Sequence, residues 1–429
     1  MVSAALFLGL IVFLILNVPV GIAIGMSSLA AIIVGNKLSL AYVAQTLVTS
    51  TDSFPIMAIP LFILAGELMG AGGVSKRILD VCNVFFGRVT GGLAIVTVVV
   101  CMFFAAVSGS GPATVAAVGS MVVPAMLQKG YSKRFVLALI ACAGSIGVII
   151  PPSIPMVIFG VSTGTSISGL FMAGFLPGIL IGIALIIWCY YYCKKQGWKG
   201  DDEKFTWGRA GRAVWDAKWA LINPFIILGG IYGGIFTPTE AASVAAVYAF
   251  VCGVFIHKEL KFNGLISTIG NACSTTGTTM VILGCASAFT KILTIEQIPA
   301  MITNAIISST DSAILILLLI NILLLIVGCF MDTTPAIMVL APILMPVAAS
   351  IGVHPIHFGI IMVVNLAIGF ITPPLGINLF VSARVGGEPL ETVTKGIIPF
   401  IIVMILCLLL ITFIPQISML LPKVFMGLS

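Results

Sequence analysis

The sequence predicts an all-α integral membrane protein of about ten transmembrane helices plus two re-entrant hairpins, arranged as inverted repeats. Three observations carry that expectation. First, 60% of the 429 residues are hydrophobic and only 8% are charged, with a mean hydropathy of +1.24, too apolar for a soluble surface. Second, stretches long enough to cross about 30 Å of hydrocarbon recur along the chain. Third, prolines and glycines of the second half repeat those of the first at one constant spacing. A lipid bilayer is the expected surround. The net charge of +6 is mild and bears on topology; no nucleic-acid partner is expected.

Taken in order, crossings are expected near 3–17, 19–35, 55–72, 134–163, 168–193, 219–236, 238–257, 264–290, 355–383 and 395–421. Met1-Val2-Ser3-Ala4 lacks the basic start of a cleaved signal peptide, so the first stretch is expected to be a retained span. Two other apolar segments, 92–127 and 312–349, are each interrupted by a polar tip: Ser108-Gly109-Ser110-Gly111-Pro112 and Met331-Asp332-Thr333-Thr334-Pro335. In both tips the proline suits the start of a new helix, where a missing N–H costs nothing. Lys76, Arg77 and Arg88 precede the first hairpin, and Lys129, Lys133 and Arg134 follow it. Basic residues favour the cytoplasmic side, so both its ends are expected inside. The second is bordered by Asp311, His354 and His357 with no Lys or Arg close by, so both its ends are expected outside.

The remaining charges fit one scheme. Lys194, Lys195, Lys199, Lys204, Arg209, Arg212 and Lys218 fill a central stretch whose loop, 196–218, is expected in the cytoplasm. Lys258, Lys261, Arg384 and Lys395 also fall inside, while Lys37 and Lys423 are single exceptions. Five crossings then precede the loop and five follow it, with both termini outside. Segments 38–54 and 294–310 are too polar to cross and are expected along the membrane surface. The ten cysteines lie scattered in apolar stretches without metal or disulfide spacing, and read as small core hydrophobes.

Pro124 and Pro346, Gly130 and Gly352, Gly147 and Gly369, Pro151-Pro152 and Pro373-Pro374, and Pro177 and Pro399 are all 222 residues apart. Pro112 and Pro335 match after a shift of one, whereas Pro19 and Pro238 pair only at another offset. An odd number of crossings between the halves gives them opposite orientations, the signature of secondary transporters.

The chemistry is expected at the mirrored breaks. Gly144-Ser145-Ile146-Gly147-Val148-Ile149-Ile150-Pro151-Pro152-Ser153 and Gly369-Phe370-Ile371-Thr372-Pro373-Pro374-Leu375-Gly376 each lie mid-span. Paired prolines remove helical donors and push the preceding residue out of the α region, so each span should unwind. Unwound backbone persists in hydrocarbon only where something replaces its lost bonds. Free carbonyls suit a hard cation such as Na⁺, and a restarting helix offers N–H groups to an anion. One such motif alone reads as a kink. Two at mirrored positions, facing two polar tips, read as a site. The first tip reads as substrate-accommodating or as a tight turn. Asp332 reads as functional or as a helix cap, because a carboxylate deep in an apolar region is costly. Glu240, in Thr237-Pro238-Thr239-Glu240, fits a capping box. No H-E-x-x-H helix, nucleophile elbow or ATP-binding G-x-x-x-x-G-K-[ST] loop occurs, so no enzyme is expected and the energy must come from an ion gradient.

Across nearly its whole length the chain resembles the large membrane subunit of TRAP (tripartite ATP-independent periplasmic) transporters. The matching stretches are Pro60-Leu61-Phe62-Ile63-Leu64-Ala65-Gly66, Ser108 to Gly119, Ile150-Pro151-Pro152-Ser153, Gly234 to Ala242 and Thr372-Pro373-Pro374-Leu375-Gly376. The resemblance implies an elevator-type transporter of the bacterial inner membrane that couples import of an organic acid anion to Na⁺. A periplasmic binding protein would deliver the substrate, and a separate small membrane subunit would dock on the scaffold. It implies scaffold parts at 1–91 and 219–310, and transport-domain repeats at 92–195 and 311–429. One Na⁺ site would use Ser108, Gly147, Ile150 and Pro152, and the other Gly328, Gly369, Thr372 and Leu375. Ser108, Ser110 and Asp332 would border the substrate. Sialic acid is the favoured cargo, with a C4-dicarboxylate as the alternative; a stand-alone ion-coupled anion carrier is the other reading.

Overall fold

The computed structural model describes residues 2–35, 38–200, 205–310 and 312–427; Lys37, Lys204 and Asp311 lie outside the described residues. Among the described residues the chain is wholly helical. The first half holds α1 (Val2–Ile15), α2 (Val20–Gly35), α3 (Leu40–Thr49), α4 (Ala58–Ala71), α5 (Val74–Phe86), α6 (Gly92–Ser108), α7 (Gly111–Gln128), α8 (Lys133–Ser145), α9 (Ile154–Thr163) and α10 (Ile167–Gln196). The second holds α11 (Trp207–Tyr232), α12 (Pro238–Val251), α13 (Phe262–Ile295), α14 (Ile298–Ser309), α15 (Ala313–Phe330), α16 (Thr333–Ser350), α17 (Pro355–Gly369), α18 (Ile377–Gly386), α19 (Leu390–Phe413) and α20 (Gln416–Met426).

Among the described residues, seven helices are long and apolar enough to cross a membrane, or eight if the bent pair α4–α5 counts as one span. That is fewer than the ten crossings expected, because several of those spans, including the two expected to unwind, are built from shorter pieces. The 134–163 stretch is α8 and α9, separated by a 3₁₀ turn at Ile146–Val148 and an unwound segment ending at Ser153. The 355–383 stretch is α17 and α18, separated by residues 370–376. The 55–72 stretch starts at Ala58 and bends by 64° into α5, where Gly73 adopts a φ of +76° that β-carbon sterics disfavour. The last stretch was expected to continue to 421, but α19 ends at Phe413 because Pro415 cannot donate to the Ile411 carbonyl. The 264–290 stretch runs on as α13 to Ile295, 34 residues in all. The remaining parts of 38–54 and 294–310 form the short helices α3 and α14, packed on α13 and α16 respectively.

The repeat is visible in the backbone. Both hairpin segments are a helix, a short tip and a second helix: α6–α7 and α15–α16. Gly130 and Gly352 follow the second arms with φ of +81° and +78°, the left-handed stop that glycine permits. Lys133 of α8 and Pro355 of α17 then start the broken helices at the same 222-residue spacing. Both Pro-Pro bonds are cis.

The halves exchange partners. α9, from the first half, packs on α16, while α18, from the second, packs on α7 and α8. The packing is close because Gly386 has no side chain where Leu137 approaches: a methyl there would lie 2.4 Å from a Leu137 methyl. Ser382 Oγ also donates to the Leu137 carbonyl at 2.6 Å. Eight of the ten cysteines are buried and none is in a disulfide. The Thr237–Glu240 capping box forms as expected, the Thr237 N–H donating to Glu240 Oε2 at 2.8 Å.

Candidate functional site

The first tip is held by its own hydroxyls. Ser108 ends α6, and Gly109 turns with φ +60°. Ser110 caps α7, its side chain accepting from the Ala113 N–H. Ser108 Oγ lies 3.0 Å from Thr114 Oγ1, and Thr114 Oγ1 donates to the Ser110 carbonyl at 2.7 Å. Pro112, at the second helical position, has no N–H to waste in the first turn.

The first break sits directly on this tip. The Ile154 N–H donates to the Gly109 carbonyl at 3.3 Å. A methyl on Gly109 would fall 2.8 Å from the Pro152 oxygen, and one on Gly147 would fall 2.6 Å from both the Ser110 oxygen and Thr114 Oγ1. Pro151 and Pro152 remove the helical donors of the Gly147 and Val148 carbonyls. Ser153 Oγ replaces one of them, donating to Val148 at 2.6 Å. Ser108, Ser110, Gly147 and Pro152 are thus brought together, with Ile150 between them in the chain and buried. The gathered atoms are hydroxyl and carbonyl oxygens, the donor set a hard cation prefers.

The second break is built on closer backbone contact. A methyl on Gly369 would lie 2.4 Å from the Gly328 carbonyl carbon and 2.5 Å from its oxygen, so the last turn of α15 rests on the end of α17. Thr372 Oγ1 donates to the Ile368 carbonyl at 2.8 Å, and the Thr372 N–H to Gly369 at 3.1 Å. Gly328, Gly369 and Thr372 are neighbours here, whereas Leu375 stands 46% exposed beyond them. Pro373 and Pro374 are exposed too, while Pro151 and Pro152 are buried. The two breaks share a plan but not an environment.

Asp332 takes up the helix-capping role that its place in the sequence also allows. Its Oδ1 accepts the Thr333 N–H at 2.6 Å and lies 3.3 Å from Thr333 Oγ1, capping α16. Among the described residues no hydrogen bond joins it to the first tip. The cap satisfies helix N–H groups that hydrocarbon would leave bare.

The structure adds residues that were passed over. A methyl on Gly66 of α4 would lie 3.0 Å from Ser108 Cα, so α4 approaches the tip because this position has no side chain. Asn378 links the halves: its N–H donates to the Phe370 carbonyl at 3.0 Å and its Nδ2 to the Ala141 carbonyl at 3.1 Å. Its Oδ1 is buried without a partner, and Nδ2 would lie 3.4 Å from a methyl on Gly111 of the first tip. A polar residue four positions after a Pro-Pro pair, in an apolar helix, was the available signal.

A cleft of about 490 Å³ separates α4, α5 and α13 from α7. Small residues of α7 line one wall (Ala113, Ala116 and Ser120), Glu67 and Asn271 line the other, and Lys76 and Glu259 line one end. The cleft reaches the first tip through Gly66, and Asp332 does not line it. At the second hairpin, by contrast, α16 is in contact with α13, and Thr290 Oγ1 donates to the Met338 carbonyl at 3.0 Å. Among the described residues no group of three or more His, Cys, Asp or Glu is placed to hold a metal.

Comparison with known proteins places this geometry. The family described as "Tripartite ATP-independent periplasmic transporter, DctM component" matches residues 7–417. An isethionate TRAP transporter permease protein of Oleidesulfovibrio alaskensis is 50% identical over 95% of this chain, which spans 64% of that relative's length. A C4-dicarboxylate TRAP transporter large permease protein of Vibrio cholerae is 41% identical over 100% of this chain and 99% of its own. A sialic acid TRAP transporter large permease protein of the same organism is 36% identical over 96% of each chain. Among solved structures, the Alcanivorax borkumensis YdaH transporter shares the fold at a TM-score of 0.60 with 16% identity, covering 87% of this chain and 88% of that one.

Proposed function

Because the chain belongs to the DctM family of TRAP transporters, and is a multi-pass inner-membrane permease subunit rather than an enzyme, we propose that it is the Na⁺-coupled importer for a small organic anion. A periplasmic binding protein delivers that anion, and a small membrane subunit completes the assembly. The observation that carries the reading is the mirrored seating of a polar tip or glycine turn on an unwound break: Ser108 to Thr114 on Gly147 and Pro152, and Gly328 on Gly369. Each break gathers backbone and hydroxyl oxygens suited to Na⁺, with Ile150 completing the first set and Thr372 the second; Leu375 joins the second set only when ion binding draws the 372–376 segment inward.

Residues 92–195 and 311–429 form the moving unit in this reading, and 1–91 and 219–310 its scaffold. Ten crossings and two re-entrant hairpins follow if each broken helix counts once. The cleft beside α7 is then the inward-open path, because its Lys76 end is the cytoplasmic end by charge. Substrate meets Ser108 and Ser110 first, and Asp332 acts by holding the second tip in shape.

The cargo is a small sulfonate or dicarboxylate, supported by the 50% identity to the isethionate relative against 36% to the sialic acid relative. The test is uptake by proteoliposomes holding this chain, its small subunit and the binding protein, each candidate acid supplied in turn. Uptake of a small acid only under an inward Na⁺ gradient is expected. Uptake indifferent to Na⁺ removes the coupling, and uptake without the binding protein replaces this reading with a stand-alone carrier.

A further inference from the structure

The start of α8, the end of α10 and the start of α19 enclose a cavity of about 600 Å³ that the transport reading does not use. Its polar rim carries Lys133, Arg134 and Lys395, and its lining contains no acidic residue. All three are exposed, but Lys133 is paired with Glu388, which leaves Arg134 and Lys395 as the cations open to a ligand. The wall is aromatic and stiff: Phe135 stacks on Tyr192 at 4.9 Å between ring centroids, and Trp188 meets Phe400 edge-on at 6.5 Å. Two cations at the rim of a wall without acidic side chains mark a place for an anionic hydrogen-bond acceptor. Pro399 also strips the Lys395 carbonyl of its helical donor, which loosens α19 beside the cavity.

Depth says what kind of acceptor. Lys194 and Lys195 end α10, and aromatic side chains with a polar edge sit beside them, as at a membrane–water interface. One turn toward the bilayer, Ile187 is 63% and Ile398 61% exposed, an apolar track leading away from the cationic rim. In the other repeat the matching place, at the start of α17, is narrowed to about 250 Å³. There α20 lies across it, with Ser418 Oγ 2.6 Å from His357 Nδ1. At α8 the groove stays open.

We propose that this cavity binds the phosphate headgroup of an anionic phospholipid of the cytoplasmic leaflet. Arg134 and Lys395 hold the phosphate over the aromatic wall, and the acyl chains lie along Ile187 and Ile398. The test uses the full-length chain in mild detergent and a fluorescent phosphatidylglycerol probe, displaced by unlabelled phosphatidylglycerol, phosphatidylcholine or inorganic phosphate. Displacement by phosphatidylglycerol alone is expected. Arg134→Gln with Lys395→Gln should weaken probe binding by about thirtyfold, since each surface cation contributes roughly a factor of five. Arg134→Lys with Lys395→Arg, which keeps both charges, should bind like the wild type and shows that any loss is not misfolding. Lys194→Gln with Lys195→Gln, outside the cavity, should also bind normally. Equal displacement by phosphatidylcholine, displacement by inorganic phosphate, or an unaffected Arg134/Lys395 neutral variant overturns the proposal.

Discussion

At the scale of single residues, the site depends on side chains that are missing. Gly147 and Gly369 allow oxygens to approach to distances a β-carbon forbids. Gly147→Ala should therefore push the first tip off its break and lower Na⁺-dependent uptake by at least about tenfold; overpacking of this kind costs about 1–3 kcal/mol. Ser108→Ala makes the cleaner test, because it fills no space. It should raise the Na⁺ concentration for half-maximal uptake by about tenfold, roughly 1.4 kcal/mol, with thermal stability nearly unchanged. An unaltered Na⁺ dependence in Ser108→Ala would remove the hydroxyl from the site. These positions were legible because Gly and Pro act through local backbone chemistry, which the sequence states directly. Asn378 was not, because its partner, the Ala141 carbonyl, is 237 positions away. Asn321, Asn365, Thr412 and His357 form another buried polar chain of this kind, across α15, α17 and α19. Their spacing gives no hint of it.

At the scale of elements, caps and bends are stabilising features separate from transport chemistry. Thr237→Ala removes the hydroxyl that accepts the Glu240 N–H at 3.3 Å. It should cost about 1 kcal/mol, lower the unfolding temperature measurably, and leave Na⁺ dependence alone. The 64° bend between α4 and α5 is latched from outside: His257 Nδ1 lies 2.9 Å from the Gly72 carbonyl, and Arg77 pairs with Glu259 at 2.7 Å. Burial holds the His257 imidazole below its ordinary range; Arg77 adds to this, while Gly72 and Glu259 oppose it. The neutral ring is thus the form that the folded state prefers. Its contribution is fully present above the unfolded-state value of about 6.5 and is lost as pH falls from there through the lower folded-state value. Thermal stability should decline from pH 7 to 5, and His257→Gln should flatten that decline. An identical slope in the variant would release His257 from the latch. The bend escaped sequence reading because Ala71-Gly72-Gly73 also suits an ordinary span end, and only the packing of α5 on α6 and α11 decides its direction.

At the scale of the whole molecule, the two hairpins meet the first and second parts of the chain through different arms: α6 packs on α4 and α5 while a cleft lies beside α7, whereas α16 packs directly on α13. Ala116→Trp would fill the cleft wall without touching either break. Transport should fall close to background while the purified protein still binds Na⁺, detected by Na⁺-dependent thermal stabilisation. Loss of both would place the effect on folding instead. The repeat and the two breaks were legible from proline and glycine spacing alone. The difference between the two hairpins was not, since near-equivalent sequences acquire different surroundings only when the full chain is assembled. That assembly has a bearing on ancestry. α9 rests on the opposite half's α16, and α18 on the opposite half's α7, so one half made alone would leave each broken helix unmatched. A single-half ancestor of this design would therefore have needed a second copy to cover its broken helices.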